Sequence, residues 1–124
     1  MGNERKKIIV VDDNVENLTA LKNTLKEKYD VFPSPSALKM FDILKHIKPD
    51  LILLDVEMPE MNGYEAAGKL KGDAQFKEIP IMFLTSMNDE ESKKKGLELG
   101  AIDYIHKPFD ATSLLQRLET HFSS

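Results

Sequence analysis

The sequence predicts an α/β fold, a single doubly wound sheet of five parallel strands with five helices spread over both faces. Two observations carry this expectation. Short apolar or β-branched runs alternate along the chain with stretches whose apolar residues recur at helical spacing, which is the texture of successive βα units. In addition, Leu51-Ile52-Leu53-Leu54 is an unbroken run of four apolar residues, which suits a strand buried on both faces. Right-handed crossovers then place the helices on the two sides of the sheet. The 124 residues fit one domain, 1–124, large enough to bury a core without disulfides or structural metals.

Ile8 to Val11 is a β-branched strand that stops at Asp12-Asp13-Asn14, and Val15, Leu18, Leu21 and Leu25 predict a helix running to about Lys28. Asp30 to Phe32 is a weaker second strand, closed by Pro33-Ser34-Pro35; Ser36 then caps a helix carrying Leu38, Phe41, Leu44 and Ile47, which Pro49 ends. The central strand runs into Asp55, and Pro59 followed by Asn62-Gly63 marks a loop that turns into the next helix. That helix, Tyr64 to Lys71, carries Ala66, Ala67 and Gly68, small residues that predict close packing on the sheet, and Gly72-Asp73 ends it. Ile79 to Leu84 is the fourth strand, with Pro80 near its start where a missing donor costs least, and it stops at Thr85-Ser86.

A largely charged stretch from Asn88 to Lys95 leads into Gly96-Leu97-Glu98-Leu99, and Gly100 is placed to end this helix in the left-handed conformation. The thin apolar stripe makes it the least firmly held of the helices. Ala101 to Ile105 is the fifth strand, ending at His106-Lys107-Pro108, and Leu114, Leu115, Leu118 and Phe122 mark a closing helix capped by Asp110 or Thr112.

Composition excludes several classes of function. Without cysteine there is no disulfide framework, thiol catalysis or thiolate zinc site. Lys plus Arg number 17 against 21 Asp plus Glu, a net charge of −4 that argues against nucleic acid as a direct ligand. The amino end, Asn3-Glu4-Arg5-Lys6-Lys7, is basic, but the apolar run behind it is too short for a signal peptide or a membrane span, so a soluble cytoplasmic protein is expected. His46, His106 and His121 show no metal-ligand spacing.

In a parallel sheet every strand points the same way, so Asp12-Asp13, Asp55, Thr85 and Lys107 emerge along one edge, where open α/β sheets hold their ligands. Each alone has a plainer reading. Asp12, Asp13 and Asn14 suit a helix cap, Asp55 a turn, Thr85 a satisfied strand-end hydroxyl, and Lys107 a surface charge. Their convergence changes the balance. Three gathered carboxylates repel one another unless a cation or protons compensate, and a hard divalent ion such as Mg²⁺ suits oxygen ligands. A lysine and a hydroxyl opposite them suit anionic oxygens. Together these describe phosphoryl transfer to an aspartate, in which an ionised carboxylate is already the nucleophile.

At this point the sequence resembles the receiver domains of response regulators in two-component signalling. The resemblance rests on Val10-Val11-Asp12-Asp13-Asn14, Leu53-Leu54-Asp55-Val56-Glu57-Met58-Pro59-Glu60-Met61-Asn62-Gly63, Phe83-Leu84-Thr85-Ser86 and Gly100-Ala101-Ile102-Asp103-Tyr104-Ile105-His106-Lys107-Pro108-Phe109, in the family's order over essentially the whole chain. It implies the flavodoxin-like strand order 2-1-3-4-5. It also implies that Asp55 is the phosphoryl acceptor, served by a histidine kinase or a histidine phosphotransfer protein, in a chain that catalyses its own phosphorylation and dephosphorylation and is otherwise no enzyme. Mg²⁺, or Mn²⁺, would be held by Asp13, Asp55 and the backbone carbonyl of Glu57, with Asp12 acting through metal-bound water. By the same resemblance Thr85 and Lys107 contact the phosphoryl oxygens, Pro108 follows a cis peptide bond, and Tyr104 is the aromatic switch that turns inward with Thr85. The fourth helix, fifth strand and fifth helix form the face for an output partner or a homodimer.

Ser86 stands where the family more often has alanine or glycine, and Glu57 and Met87 occupy variable positions that tune the pocket. Met58 and Met61 read as packing or loop-shape residues. Two rival readings differ in chemistry: a pseudo-receiver that binds partners without being phosphorylated, and a phosphatase of the haloacid dehalogenase type, whose D-x-D motif Asp55-Val56-Glu57 faintly matches but whose acidic pair follows the first strand. A stand-alone receiver and one cut from a longer regulator or hybrid kinase fit the sequence equally.

Overall fold

Strands and helices alternate along the chain in the computed structural model as β1 (Lys7–Val11), α1 (Val15–Leu25), β2 (Asp30–Ser34), α2 (Ala37–Leu44), β3 (Leu51–Asp55), α3 (Gly63–Lys71), β4 (Ile81–Thr85), α4 (Glu90–Glu98), β5 (Asp103–His106) and α5 (Ala111–Ser123). The structure describes residues 5–87 and 89–123. Asn3 and Glu4 of the basic amino end, Asn88 at the predicted start of the fourth helix, and Ser124 lie outside the described residues.

The strands form one parallel sheet in the order β2-β1-β3-β4-β5. Alternation along each strand divides the core in two. Ile9, Val11, Ile52, Leu54, Ile81 and Phe83 face α2 and α3, whereas Ile8, Val10, Leu51, Leu53, Met82 and Leu84 face α1 and α5. All five residues of β3 and of β4 are buried, which accounts for the continuous apolar runs seen in the sequence. Each fully buried Leu or Ile contributes roughly 2 kcal/mol of apolar transfer.

Several elements differ from the sequence expectation. Pro33 lies inside β2, which extends to Ser34; β2 is an edge strand paired only with β1, so the missing N–H is tolerated. Helix α1 ends at Leu25 rather than near Lys28. Val15 and Leu38, predicted on the apolar stripes of the first two helices, are 71% and 59% exposed; Met40, a position not assigned to the stripe of α2, is fully buried instead. Ala66 and Ala67 pack on the sheet, but Gly68 faces outward with nothing near the position of a Cβ. The fourth and fifth strands begin two residues later than expected, at Ile81 and Asp103.

Caps explain most helix boundaries. Ser36 caps α2 by accepting from the Lys39 N–H, and Asp110, not Thr112, caps α5 by accepting from the Ser113 N–H. Asn62 and Glu65 form a capping box at the start of α3. Helix α4 buries only Gly96 and ends at Gly100, whose φ of +93° is the conformation foreseen for it. There the Gly100 and Ala101 N–H groups donate to Leu97 and Gly96, completing a Schellman motif. No helix among the described residues is long and apolar enough to cross a membrane.

Candidate functional site

The carboxyl ends of β1, β3, β4 and β5 lie side by side, and the loops that leave them carry the site. Register alone brings the parts together: Val11 pairs with Leu54, Asp55 with Leu84, and Thr85 with His106. Asp12, Asp55 and Thr85 are buried polar residues at these strand ends.

Asp55 is fully buried. Its Oδ1 accepts from the Lys107 ammonium at 3.0 Å and from the Glu57 N–H at 3.3 Å, whereas Oδ2 is buried with no hydrogen-bond partner. A buried carboxylate oxygen left unpaired is costly unless something binds it. Asp12 Oδ1 accepts from the Asn14 N–H at 2.9 Å and Oδ2 from Lys107 at 3.2 Å. Asn14 in turn caps α1 by accepting from the Asn17 N–H, so the cap role belongs to Asn14 and Asp12 is free to face Lys107. Asp13 is exposed at the rim, and one carboxylate oxygen from each of Asp12, Asp13 and Asp55 lies within 4.8 Å of the others.

The electrostatics follow from this crowding. Burial raises the Asp55 pKa most, the Lys107 hydrogen bond offsets part of that, and the Asp12 and Glu57 charges raise it further, leaving it at about 7. Burial works against the Lys107 charge, but the bonds and charges of Asp55 and Asp12 outweigh it and hold the ammonium pKa above its ordinary value.

On the opposite side the geometry departs from a simple anion clamp. The Thr85 hydroxyl donates to Glu57 Oε2, and the Ser86 N–H and hydroxyl both donate to Glu57 Oε1, each at 3.1 Å. Burial alone would push the Glu57 carboxyl up, yet these bonds prevail and hold its pKa below the ordinary value. Thr85 Oγ1 also accepts from the Met87 N–H at 3.0 Å. Glu57, Met58, Tyr64, Met87 and Lys95 line an open cavity of about 710 Å³ between this loop and α4.

Tyr104 is half-buried, and its hydroxyl donates to the Met87 carbonyl at 3.1 Å. The Tyr64 hydroxyl donates to the Ser92 carbonyl of α4, and burial, then the neighbouring Tyr104, push the Tyr64 phenol up to about 12. The Lys107–Pro108 peptide bond is cis. Asp12, Asp13, Asp55 and Lys107 are therefore brought together; Thr85, Ser86 and Glu57 form an adjoining group, and Met87 and Tyr104 connect that group to α4. Sequence reasoning missed two structural supports of the site. Asn14 fixes Asp12, and Gly63 packs its Cα against the backbone of Asp55 and Val56. The Asn62-Gly63 pair, a turn signal in the sequence, is the available signal for the second.

Comparison with known proteins agrees with this geometry. A family model, the response regulator receiver domain, matches residues 8–119. A probable cyclic di-GMP phosphodiesterase of Vibrio cholerae is 36% identical over 117 residues, 94% of this chain and 26% of that protein. The phosphate regulon transcriptional regulatory protein PhoB of Pseudomonas aeruginosa is 37% identical over 115 residues, 92% of this chain and 50% of that protein, so the chain spans at most half of either relative. Among solved structures, the receiver domain of a sensor histidine kinase from Pseudomonas aeruginosa, with a magnesium ion coordinated in its active-site cleft, superposes with a TM-score of 0.86 at 26% identity, covering 97% of this chain and 99% of that one. The match over residues 8–119, the strand order and the cluster of acids at the strand ends show that this chain belongs to the response regulator receiver domains of two-component signalling.

Proposed function

We propose that Asp55 is the phosphoacceptor of a phosphorelay switch, receiving a phosphoryl group from a phosphohistidine on a histidine kinase or phosphotransfer protein. The observation that carries this reading is the Asp55 carboxylate, buried at the end of β3 with Oδ1 held by Lys107 and Oδ2 without a partner. In the transfer, the donor P–N bond breaks, its electron pair stays on the imidazole, and a P–O bond forms to the free oxygen of Asp55. Lys107 neutralises charge on the acceptor and steadies its orientation. The Thr85 hydroxyl and the Ser86 N–H are the donors placed to take the incoming oxygens once Glu57 yields them.

The donor set fits a hard cation: three carboxylates with ligand atoms within 4.8 Å, one of them carrying an unpaired buried oxygen. Mg²⁺ or Mn²⁺ would be held by Asp12, Asp13, Asp55 and the backbone carbonyl of Glu57. When bound, it supplies neutralisation of the charge that develops on the transferred group. Conformational output runs through Thr85, Met87 and Tyr104 to the face formed by α4, β5 and α5, where a partner, a linked domain or a second copy reads the state.

The test is incubation with acetyl phosphate, with and without Mg²⁺, read by intact mass. A single acid-stable, base-labile adduct that requires the metal and is lost in Asp55→Asn supports the reading. An adduct that survives in Asp55→Asn, or none in the unmodified protein, refutes it; the latter result leaves a binding module of the same fold. Phosphorylation is also expected to alter amide exchange mainly between Thr85 and Ile105, and a uniform change would count against the output route.

A further inference from the structure

We propose that the Glu57 carboxylate is a resident occupant of the oxyanion donors, so that phosphorylation of this chain is an exchange in which the phosphoryl group enters as Glu57 leaves. The inference rests on the phosphoacceptor reading above and adds a competing ligand to it.

Both oxygens of Glu57 are engaged: Oε2 by the Thr85 hydroxyl, and Oε1 by the Ser86 N–H and the Ser86 hydroxyl, each at 3.1 Å. A half-buried glutamate in a loop ordinarily turns its head to water. This one folds back across the pocket, two residues beyond the acceptor it neighbours, and presents two anionic oxygens to donors on adjacent residues. Non-bridging phosphoryl oxygens present the same acceptor chemistry.

Donor counting makes the two occupants exclusive. The Thr85 hydroxyl has a single proton and the Ser86 backbone a single N–H, and each is already given to Glu57. Thr85 Oγ1 is further committed as acceptor of the Met87 N–H. A phosphoryl group on Asp55 obtains these donors only by displacing the carboxylate. The cavity of about 710 Å³ that Glu57 borders has room for the displaced side chain. Ser86 matters because its hydroxyl is an additional anchor for Glu57: an alanine at that position would retain the backbone N–H and lose the side-chain bond.

The experiment measures the initial rate of phosphorylation by acetyl phosphate at saturating Mg²⁺ for the unmodified chain, Glu57→Ala, Ser86→Ala and the double variant. Loss of a charge-assisted clamp is expected to speed Glu57→Ala about tenfold and Ser86→Ala, which removes one anchor, about threefold. The double variant is expected to be no faster than Glu57→Ala alone, because the Ser86 hydroxyl acts through Glu57. In the resting protein without donor, the Ser86 amide is expected to exchange faster in Glu57→Ala.

Acceleration by Glu57→Ala with Ser86→Ala unchanged would mean simple charge repulsion and overturn the clamp. Slowing by Ser86→Ala would mean that its hydroxyl serves the phosphoryl group directly, and would overturn it too. Unchanged Ser86 amide exchange would refute the contact itself. An unmodified chain that forms no adduct while Ser86 exchange still responds to Glu57→Ala identifies the phosphoacceptor reading as the failure, and the competition falls with it.

Discussion

Gly63→Ala and Gly68→Ala place the same methyl group on the same helix five positions apart, and the structure assigns them opposite signs. At Gly63 a Cβ would lie 2.3 Å from the Asp55 carbonyl oxygen, 2.9 Å from Val56 Cα and 3.0 Å from the Asp55 carbonyl carbon. All three are backbone atoms of Asp55 and Val56 at the carboxyl end of β3, so no rotamer relieves the clash. Ordinary contact requires α3 to retreat by about 1 Å, which strains the 2.9 Å bond from the Gly63 N–H to the Val56 carbonyl. Overpacking of this kind costs about 1–3 kcal/mol, and a weakened hydrogen bond adds up to about 1. At Gly68 nothing lies within 4 Å of the added carbon, and replacing a mid-helix glycine gains about 0.5–1 kcal/mol. The two variants are thus expected to differ by about 1.5–5 kcal/mol in urea unfolding at unchanged m value, with Gly63→Ala the weaker. Because the crowded backbone is that of Asp55 and Val56, Gly63→Ala is also expected to slow phosphorylation by acetyl phosphate about tenfold or more, whereas Gly68→Ala leaves it unchanged. A Gly63→Ala protein within about 0.5 kcal/mol of the unmodified chain would refute the close approach on which the reasoning depends.

Three further perturbations probe the site and the packing. Lys107→Ala removes the cation lying 3.0 Å from Asp55 and 3.2 Å from Asp12; at pH 8 without metal it is expected to destabilise the fold by about 3 kcal/mol, and added Mg²⁺ to restore part of the loss, as read by chemical unfolding. Asp55 has a folded pKa raised to about 7 from 3.8, so its contribution to stability is full below pH 4 and is lost as the pH rises towards 7. The melting temperature of Asp55→Asn relative to the unmodified chain should therefore increase between pH 4.5 and 8 in metal-free buffer, and stabilisation of the unmodified chain by Mg²⁺ should be greater at pH 8 than at pH 5; a pH-independent difference between the two proteins would contradict the assignment. Leu38→Glu, on the exposed side of α2, should change stability by less than about 0.5 kcal/mol, whereas Leu44→Ala on its buried side should cost about 3, and equal costs would place the stripe wrongly.

The fold was legible in the sequence because a parallel sheet covered on both sides leaves a strong trace. Leu51 to Leu54 and Ile81 to Leu84 are apolar at every position since each face meets a helix layer, and a sheet buried on one face only does not account for two such runs. What resisted reading was helix phase at the ends. Val15 is in phase with the buried Leu21 and Leu25 but is the first residue of α1 and stays exposed, whereas Leu38 is a phase error: the buried face of α2 is Ala37, Met40 and Leu44, and Leu38 lies one residue off it. Pro33 misled for a different reason. A proline argues against a central strand, whereas β2 lies at the edge, where pairing with β1 alone leaves its other side free of ladder bonds.

The site was legible to the same extent that strand direction determines it. Asp12, Asp55, Thr85 and Lys107 follow strands that all point one way, so their convergence follows from topology before any side chain is placed. Glu57 lies on the loop beyond β3, where the backbone no longer alternates and neighbouring residues do not dictate where a side chain points. Its choice between solvent and the Thr85–Ser86 donors depends on a three-dimensional coincidence: Thr85 ends β4, the strand beside β3, and Ser86 follows it directly, while Lys107, just beyond β5, engages Asp55. Asp55 thus pairs with a cation while Glu57, two residues on, holds the Thr85 and Ser86 donors. On the proposed competition the serine at position 86 has a reason: a hydroxyl that would crowd an empty phosphoryl pocket is a useful donor when the resting occupant is a glutamate.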